Sequence, residues 1–260
     1  AYARARGALA QAAASQEKAV AIEKREPRLY YELDQYLAWT RAPLSTRLAR
    51  LTESPETVAS REITAGRLGR VQVLLGKDDD AVATLSGTRF HVWEGESGIH
   101  SVYVAARLER GRRLLAKGAA AEALDEFRAT VDVPANIEVG QGAGAHLAET
   151  HHHVGLALER LGRKDEAAAA FRESASVPAV VAEGHYWIGR SLQKLGRSAE
   201  ARASAAFLDT IPQLGPQLGA YPSESKIRLE VAYNRFVPFR VAWISMALAY
   251  CPSQTKVSNS

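Results

Sequence analysis

Glycines recur in pairs along this chain, and their spacing constrains the fold more than any other feature. Seven positions separate the two glycines of each pair, and the last two pairs are offset by 34 residues, from Gly155 to Gly189. An alanine follows the second glycine of every pair by five positions. The pairs are Gly69 and Gly76, Gly111 and Gly118, Gly155 and Gly162, and Gly189 and Gly196. A shared register of this length predicts an array of repeated supersecondary units.

Each unit is predicted to be a helical hairpin. The first glycine lies inside a helix A, where its missing side chain lets the second helix approach closely. The second glycine ends helix A in a left-handed cap. The alanine and a larger apolar residue four positions later, such as Ala167 and Phe171, form the buried stripe of helix B. A proline then stops helix B in three of the copies.

These segments resemble tetratricopeptide repeats, whose period is about 34 residues and whose pattern includes Leu-Gly, a later Ala and Phe, and a closing Pro. The copy around Gly155 supplies Ala167, Phe171 and Pro178, with His151 where the pattern has an aromatic residue. The resemblance implies an all-α fold, a right-handed α-solenoid of about five to six helix hairpins.

The repeat register divides the chain into three parts. We expect degenerate helical repeats over residues 1–60 and the main array over residues 61–215, with loops inserted at 88–98 and 136–149. Residues 216–260 lose the register, and we expect a divergent segment there, a helix followed by a disordered tail.

The first inserted loop carries a motif that is similar to a group of bacterial repeat proteins. It contains Phe90, His91, Trp93, Glu94 and Gly95. In that group a conserved domain that resembles carbohydrate enzymes precedes the repeats. The resemblance implies that the chain is part of a larger protein and that a carbohydrate-related domain is a partner. Trp93 and Glu94 then either help to bind a glycan or dock a domain, or they fill the gap between two repeats.

Composition argues against several classes of function. The net charge of +4 is mild, and no dense block of lysine and arginine occurs, so we expect neither a nucleic-acid nor a membrane partner. Cys251 is the only cysteine, which excludes an internal disulfide and favours a cytoplasmic location. No catalytic or cofactor-binding motif is present, so we expect no enzyme activity and no cofactor.

Three consecutive histidines, His151, His152 and His153, raise the question of a metal site. Successive residues of a helix point about 100° apart, so the three rings cannot all face one ion. The i, i+4 histidine pairing of helical zinc sites is also absent. We therefore expect structural histidines and no metal site.

A groove lined by helix A of successive repeats is the strongest candidate for function. The residue after the internal glycine is expected to face it, and neighbours one turn away join it. These residues are Arg70, Arg112, His152, Tyr186, Arg190 and Lys194. Repeated arginines suit a protein or peptide with acidic groups, although they are also compatible with a solvated surface. The sequence thus predicts a non-catalytic protein-interaction scaffold, with an accessory role in a carbohydrate-active enzyme as the alternative.

Overall fold

The computed structural model describes residues 2–91, 98–137, 146–178 and 182–204. Within these ranges the regular structure is α-helical, and the only β interaction is an isolated bridge between Phe90 and Ile137. The all-α fold predicted from the repeats is therefore confirmed. None of the helices in the described ranges is both long enough and apolar enough to span a bilayer. The predicted C-terminal segment, residues 216–260, lies outside the described residues.

Two compact units divide the described residues after Leu75. The N-terminal unit, residues 2–75, contains five helices: α1 (Tyr2–Ile22), α2 (Pro27–Trp39), α3 (Leu44–Leu51), α4 (Pro55–Ala59) and α5 (Glu62–Leu74). Its core is apolar and includes the buried side chains of Tyr30, Leu33, Leu51 and Val58. Helix α2 packs against α1, α3 and α5, which places it at the centre of this unit.

A buried ion pair crosslinks three helices of the N-terminal unit. Arg47 of α3 donates two hydrogen bonds to the carboxylate of Asp34 on α2, at 2.7 and 2.8 Å. Arg67 of α5 lies 3.4 Å from the same carboxylate. Because Asp34 is almost fully buried, this two-pronged pairing compensates a charge that would otherwise be costly there.

The repeat unit, residues 76–204 in the described part, contains a ladder of hairpins. Its helices are α6 (Asp78–Gly87), α7 (Ile99–Ala116), α8 (Ala120–Arg128), α9 (Leu147–Arg160), α10 (Lys164–Ser176) and α11 (Ala182–Lys194). Each helix packs against the next one along the chain, and α9 also contacts both α7 and α11. The hairpins α7/α8 and α9/α10 thus stack, and the A helices α7, α9 and α11 are neighbours.

The turns within the hairpins have the predicted left-handed glycine. The φ angles are positive at Gly76 (68°), Gly118 (85°), Gly162 (75°) and Gly196 (74°). At Gly162 the following amide, of Arg163, donates back to the carbonyl of Leu158 at 3.0 Å. This pattern is the Schellman cap, and it satisfies a carbonyl that the helix end leaves unpaired.

The internal glycine of helix A is a packing requirement in two hairpins but not in the third. A Cβ atom on Gly155 would lie 2.7 Å from Cδ1 of Phe171, and one on Gly111 would lie 2.8 Å from Cδ1 of Phe127. On Gly189 the nearest atom among the described residues would be 3.6 Å away, an ordinary contact. In the sequence, the residue of the last copy that is equivalent to Phe127 and Phe171 is Ala205, which lies outside the described residues.

Candidate functional site

Arg112, predicted to line the groove, joins three A helices of the repeat unit. It lies one position after Gly111 near the end of α7, and its side chain is 16 % exposed. Its guanidinium donates to Glu109 Oε1 at 2.5 Å and to Glu149 Oε1 on α9. It also lies 5.6 Å from the ring centroid of Trp187 on α11, a cation–π distance. Two carboxylates of the chain already compensate the charge of Arg112. This pairing argues against the prediction that Arg112 offers its charge to a partner.

His153 is fixed by this same arginine. Arg112 Nε donates to His153 Nε2 at 3.0 Å, and His153 Nδ1 lies 2.9 Å from the carbonyl oxygen of Glu149. A guanidinium can only donate and a carbonyl can only accept, so Nδ1 carries the single ring proton. The ring also packs against Trp187, with 4.8 Å between centroids. His153 is therefore a neutral structural residue in this arrangement.

His152 was expected to face the groove, but the structure buries it. Its exposed fraction is 2 %, and its ring lies against Phe171 and Trp187. The A helix of the next repeat covers this position, since Ser191 of α11 is the hydrogen-bond partner of His152 Nδ1 at 2.8 Å. His152 therefore belongs to the junction between repeats rather than to an open surface.

A one-directional chain of hydrogen bonds runs through this junction. Ser174 donates to the carbonyl of Ala148 at 2.6 Å, and Ser191 donates to Ser174 at 2.8 Å. The hydroxyl of Ser191 is thereby used as a donor, so His152 Nδ1–H donates to its oxygen. Burial, together with the positive charges of Arg190, Lys194 and Arg112, lowers the pKa of His152 to about 3. The ring is consequently neutral at physiological pH.

His151 has a third, different environment. Its Nδ1 lies 3.1 Å from Glu173 Oε2 on α10. Burial lowers the pKa of His151, and the charge of Glu173 opposes this effect. Each of the three consecutive rings thus has its own structural partner. Nowhere in the described ranges do three histidine, cysteine, aspartate or glutamate side chains gather in a way that could hold a metal ion.

The remaining groove residues of the repeat unit lie on α11. Tyr186, Arg190 and Lys194 follow one another at four-residue intervals, so they share one face of the helix, here called the α11 stripe. Tyr186 is buried, Arg190 is partly exposed, and Lys194 is bound to Glu159 of α9 at 2.6 Å. Arg190 has no ion pair with any residue that the structure describes. The stripe therefore has one cation whose charge the described part of the chain does not compensate.

Arg70 lies on α5 and belongs to the N-terminal unit. It is partly exposed. Its grouping with the arginines of the repeat unit stays a prediction.

The loop motif is described only at its first two residues. Phe90 is buried, and its amide donates to the carbonyl of Asn136 at 2.7 Å. The side-chain amide of Asn136 in turn donates to the carbonyls of Leu85 and Thr88. These bonds tie the start of one inserted loop to the start of the other, so Phe90 has a packing role. His91 is exposed, whereas Trp93, Glu94 and Gly95 lie outside the described residues.

Two ionisable residues outside the groove have perturbed pKa values. Burial raises the pKa of Asp78, the first residue of α6, to about 6, although Arg113 at 3.4 Å opposes the shift. Burial lowers the pKa of His100, whose ring lies 5.3 Å from that of His146. Asp78 already has an arginine partner and His100 packs against another ring, so neither residue has the geometry of a catalytic pair.

Several important residues were missed by the sequence analysis. Glu149, Trp187 and Ser191 each contact a residue of a neighbouring A helix. One signal was available, because His153 and Trp187 occupy equivalent positions 34 residues apart in adjacent repeats. Repeat-equivalent positions on neighbouring A helices are expected to meet when the repeats stack.

Comparison with known proteins supports the presence of a helical repeat in this chain. Among solved structures, the chain is similar to MamA 41-end from Desulfovibrio magneticus RS-1, with a TM-score of 0.43 and 15 % identity over 72 % of this chain and 95 % of that one. Neither this likeness nor the family match supports the expected carbohydrate-related domain. Residues 148–178, the hairpin of α9 and α10, match the family model of the tetratricopeptide repeat, so the chain contains a repeat of that kind.

Proposed function

We propose that the chain is a non-catalytic protein-interaction module whose α11 stripe binds an acidic segment of a partner protein. The proposal rests on which cations of the groove have carboxylate partners within the chain. Arg112 and Lys194 are neutralised by Glu149 and Glu159, whereas Arg190 has no carboxylate partner in the described part of the chain. An arginine without such a partner can bind the carboxylate of another protein through two parallel hydrogen bonds.

The tetratricopeptide repeat supports the same proposal. Stacked helical hairpins present extended surfaces, and such surfaces bind other proteins. Arg112 and His152 contact other residues of the chain, so the proposed site is smaller than the sequence predicted. It centres on Arg190, with Tyr186 and Lys194 beside it. The single cysteine supports a cytoplasmic, reducing location for the interaction.

The test is a binding measurement with defined peptides. Fluorescein-labelled peptides of twelve residues, one rich in glutamate and one rich in lysine, are titrated with the protein at low salt. We expect the glutamate peptide to bind and the lysine peptide not to bind. Arg190→Glu should weaken glutamate-peptide binding at least about tenfold, since a hydrogen bond to a charged group contributes roughly 1.5–3 kcal/mol.

The matched control is Arg172→Glu, which makes the same charge change on α10. Arg172 is exposed and forms no ion pair among the described residues, so this variant alters the net charge equally but not the stripe. Equal loss of binding in the two variants would show a general charge effect and refute the proposed site. Unchanged binding in Arg190→Glu would refute it as well.

A further inference from the structure

Two arginines and one carboxylate meet inside the N-terminal unit. Arg47 binds Asp34 through Nε and Nη2 at 2.7 and 2.8 Å, the short distances of charge-assisted hydrogen bonds. Arg67 lies further away, since its Nη1 is 3.4 Å from Asp34 Oδ2. Within the described ranges neither arginine has a second carboxylate at ion-pair distance. The cluster therefore carries one positive charge more than its carboxylate compensates.

The surplus charge lies where water reaches it poorly. The side chains of Arg47 and Arg67 are 10 % and 11 % exposed, and that of Asp34 is 1 % exposed. A charge in such surroundings is stabilised when an opposite charge binds beside it. A carboxylate, with its single negative charge, would make the cluster neutral. Because a phosphate group carries about 1.5 to 2 negative charges at pH 7, it would leave an excess of negative charge beside Asp34, so the charge balance favours a carboxylate.

The edge of Arg67 that suits a carboxylate has no partner in the described part of the chain. Other arginines of this chain bind carboxylates through Nε and Nη2 together, in the pairs of Arg47 with Asp34, Arg163 with Glu166, and Arg197 with Glu200. Arg67 contacts Asp34 through Nη1 instead. Its Nε is enclosed and has no hydrogen-bond partner, whereas Nη2 is not enclosed. Because a buried N–H without an acceptor is rare and costs free energy, a carboxylate that approaches beside Nη2 would satisfy the unused donors of this edge.

Tyr31 fixes the orientation of this edge. Cζ of Arg67 lies 4.8 Å from the centroid of the Tyr31 ring, a cation–π distance. A ring over the face of a guanidinium leaves its N–H donors available, because these donors point outwards in the guanidinium plane. The stacking and the contact of Nη1 with Asp34 together hold the side chain in one orientation. Little conformational freedom would therefore be lost when a ligand binds.

We propose that the Nε and Nη2 edge of Arg67 is a binding site for a single carboxylate group, which completes the cluster of Asp34, Arg47 and Arg67. The carboxylate belongs either to a small organic acid or to an acidic side chain of a partner protein. This site goes beyond the proposed function, because it lies in the N-terminal unit and does not involve the α11 stripe.

An NMR titration of the full chain tests the site directly. The Nε–H signal of Arg67 is identified by its absence from the spectrum of Arg67→Lys, which keeps the charge. The signal is followed while sodium acetate replaces sodium chloride at constant ionic strength. We expect a saturable downfield shift with acetate, because a charge-assisted hydrogen bond forms at this proton, and we expect sodium phosphate to bind more weakly. A shift that does not saturate with acetate, or tighter binding of phosphate than of acetate, would overturn the assignment.

A stability measurement with matched variants gives an independent readout. A ligand that binds only the folded chain raises its stability, so acetate in place of chloride should raise the urea midpoint of the wild type. Arg67→Gln should lose this response and is expected to fold, since Arg47 still pairs with Asp34. Arg25→Gln is the control, because Arg25 is an exposed arginine of the same unit without an ion pair among the described residues. It should keep the full response, and an equal response in the two glutamine variants would refute the site.

The source of the carboxylate is distinguished by comparing acetate with the glutamate-rich peptide used for the α11 stripe. A site for a partner protein predicts that the peptide shifts the Arg67 signal at a concentration at least about tenfold lower than acetate, since further contacts of the peptide add to the affinity. A site for a small acid predicts that the peptide acts no more strongly than acetate. Either result supports the carboxylate site, and a signal that neither compound shifts refutes it. Arg190→Glu should leave the shift with acetate unchanged, so failure of the α11 stripe and failure of this site are separate outcomes.

Discussion

Replacing Gly155 by alanine isolates the close packing inside a hairpin. The new Cβ would lie 2.7 Å from Cδ1 and 2.8 Å from Cζ of Phe171, whereas carbon atoms in good contact are about 3.5–4.0 Å apart. The ring cannot easily withdraw, because it is 2 % exposed and packs against His152. Overpacking of this kind costs about 1–3 kcal/mol.

Gly189→Ala is the matched control, since it makes the same change at the equivalent position of the next repeat. Its Cβ would have no atom of the described residues closer than 3.6 Å. In both variants alanine gains about 1 kcal/mol of helix propensity over glycine. That gain cancels in the comparison, so the difference between the two free energies of unfolding equals the steric cost. We expect Gly189→Ala to be slightly more stable than the wild type and Gly155→Ala to be about 1–3 kcal/mol less stable than Gly189→Ala.

Urea denaturation followed by circular dichroism at 222 nm measures this difference, with equal m values as the check that both variants unfold alike. A double variant, Gly155→Ala with Phe171→Ala, tests the cause, because the steric cost should disappear when the ring is removed. If Gly155→Ala and Gly189→Ala were equally stable, the ring would be free to move, and the argument that the glycine is required for packing would be refuted.

Two further predictions concern the junction between repeats. The pKa of His152 is about 3 in the folded chain and about 6.5 in the unfolded chain. As the pH falls below 6.5, only the unfolded chain therefore takes up this proton. The free energy of unfolding should then decrease by up to about 1.4 kcal/mol per pH unit towards pH 3. Denaturation at several pH values should give a shallower decline for His152→Gln, whose amide does not titrate, and equal slopes would contradict the assignment. Arg112→Met should cost about 3–5 kcal/mol, because it leaves the carboxylate of Glu149, whose side chain is 2 % exposed, without its guanidinium. Adding Glu149→Leu should restore part of that loss, and a loss below about 1 kcal/mol in the single variant would show that the pair contributes little.

The sequence was most informative where contacts are local. The left-handed glycines and the packing of Phe127 and Phe171 onto Gly111 and Gly155 follow from spacings within one hairpin, where the geometry of an α-helix fixes which residues meet. No described residue makes such a close contact at Gly189, and the sequence has Ala205 instead of phenylalanine at the equivalent position of that repeat.

The candidate site was less predictable because its contacts join different repeats. Helical periodicity indicates which face of its own helix a residue occupies, and it predicted that Arg112, His152 and Arg190 lie on the A-helix faces. It does not indicate which side chain the neighbouring helix places opposite that face. Of these three residues, only Arg190 keeps a charge that no described residue compensates.

The sequence by itself therefore determined the hairpins, their turns and the order of the repeats. Only the tertiary structure decided which polar residues bind to other residues of the chain. Arg112 meets His153 across 41 residues of sequence, and His152 meets Ser191 across 39. Contacts at such separations depend on how two hairpins stack and on the side chains of at least two helices at once, and no pattern along a single helix contains that information.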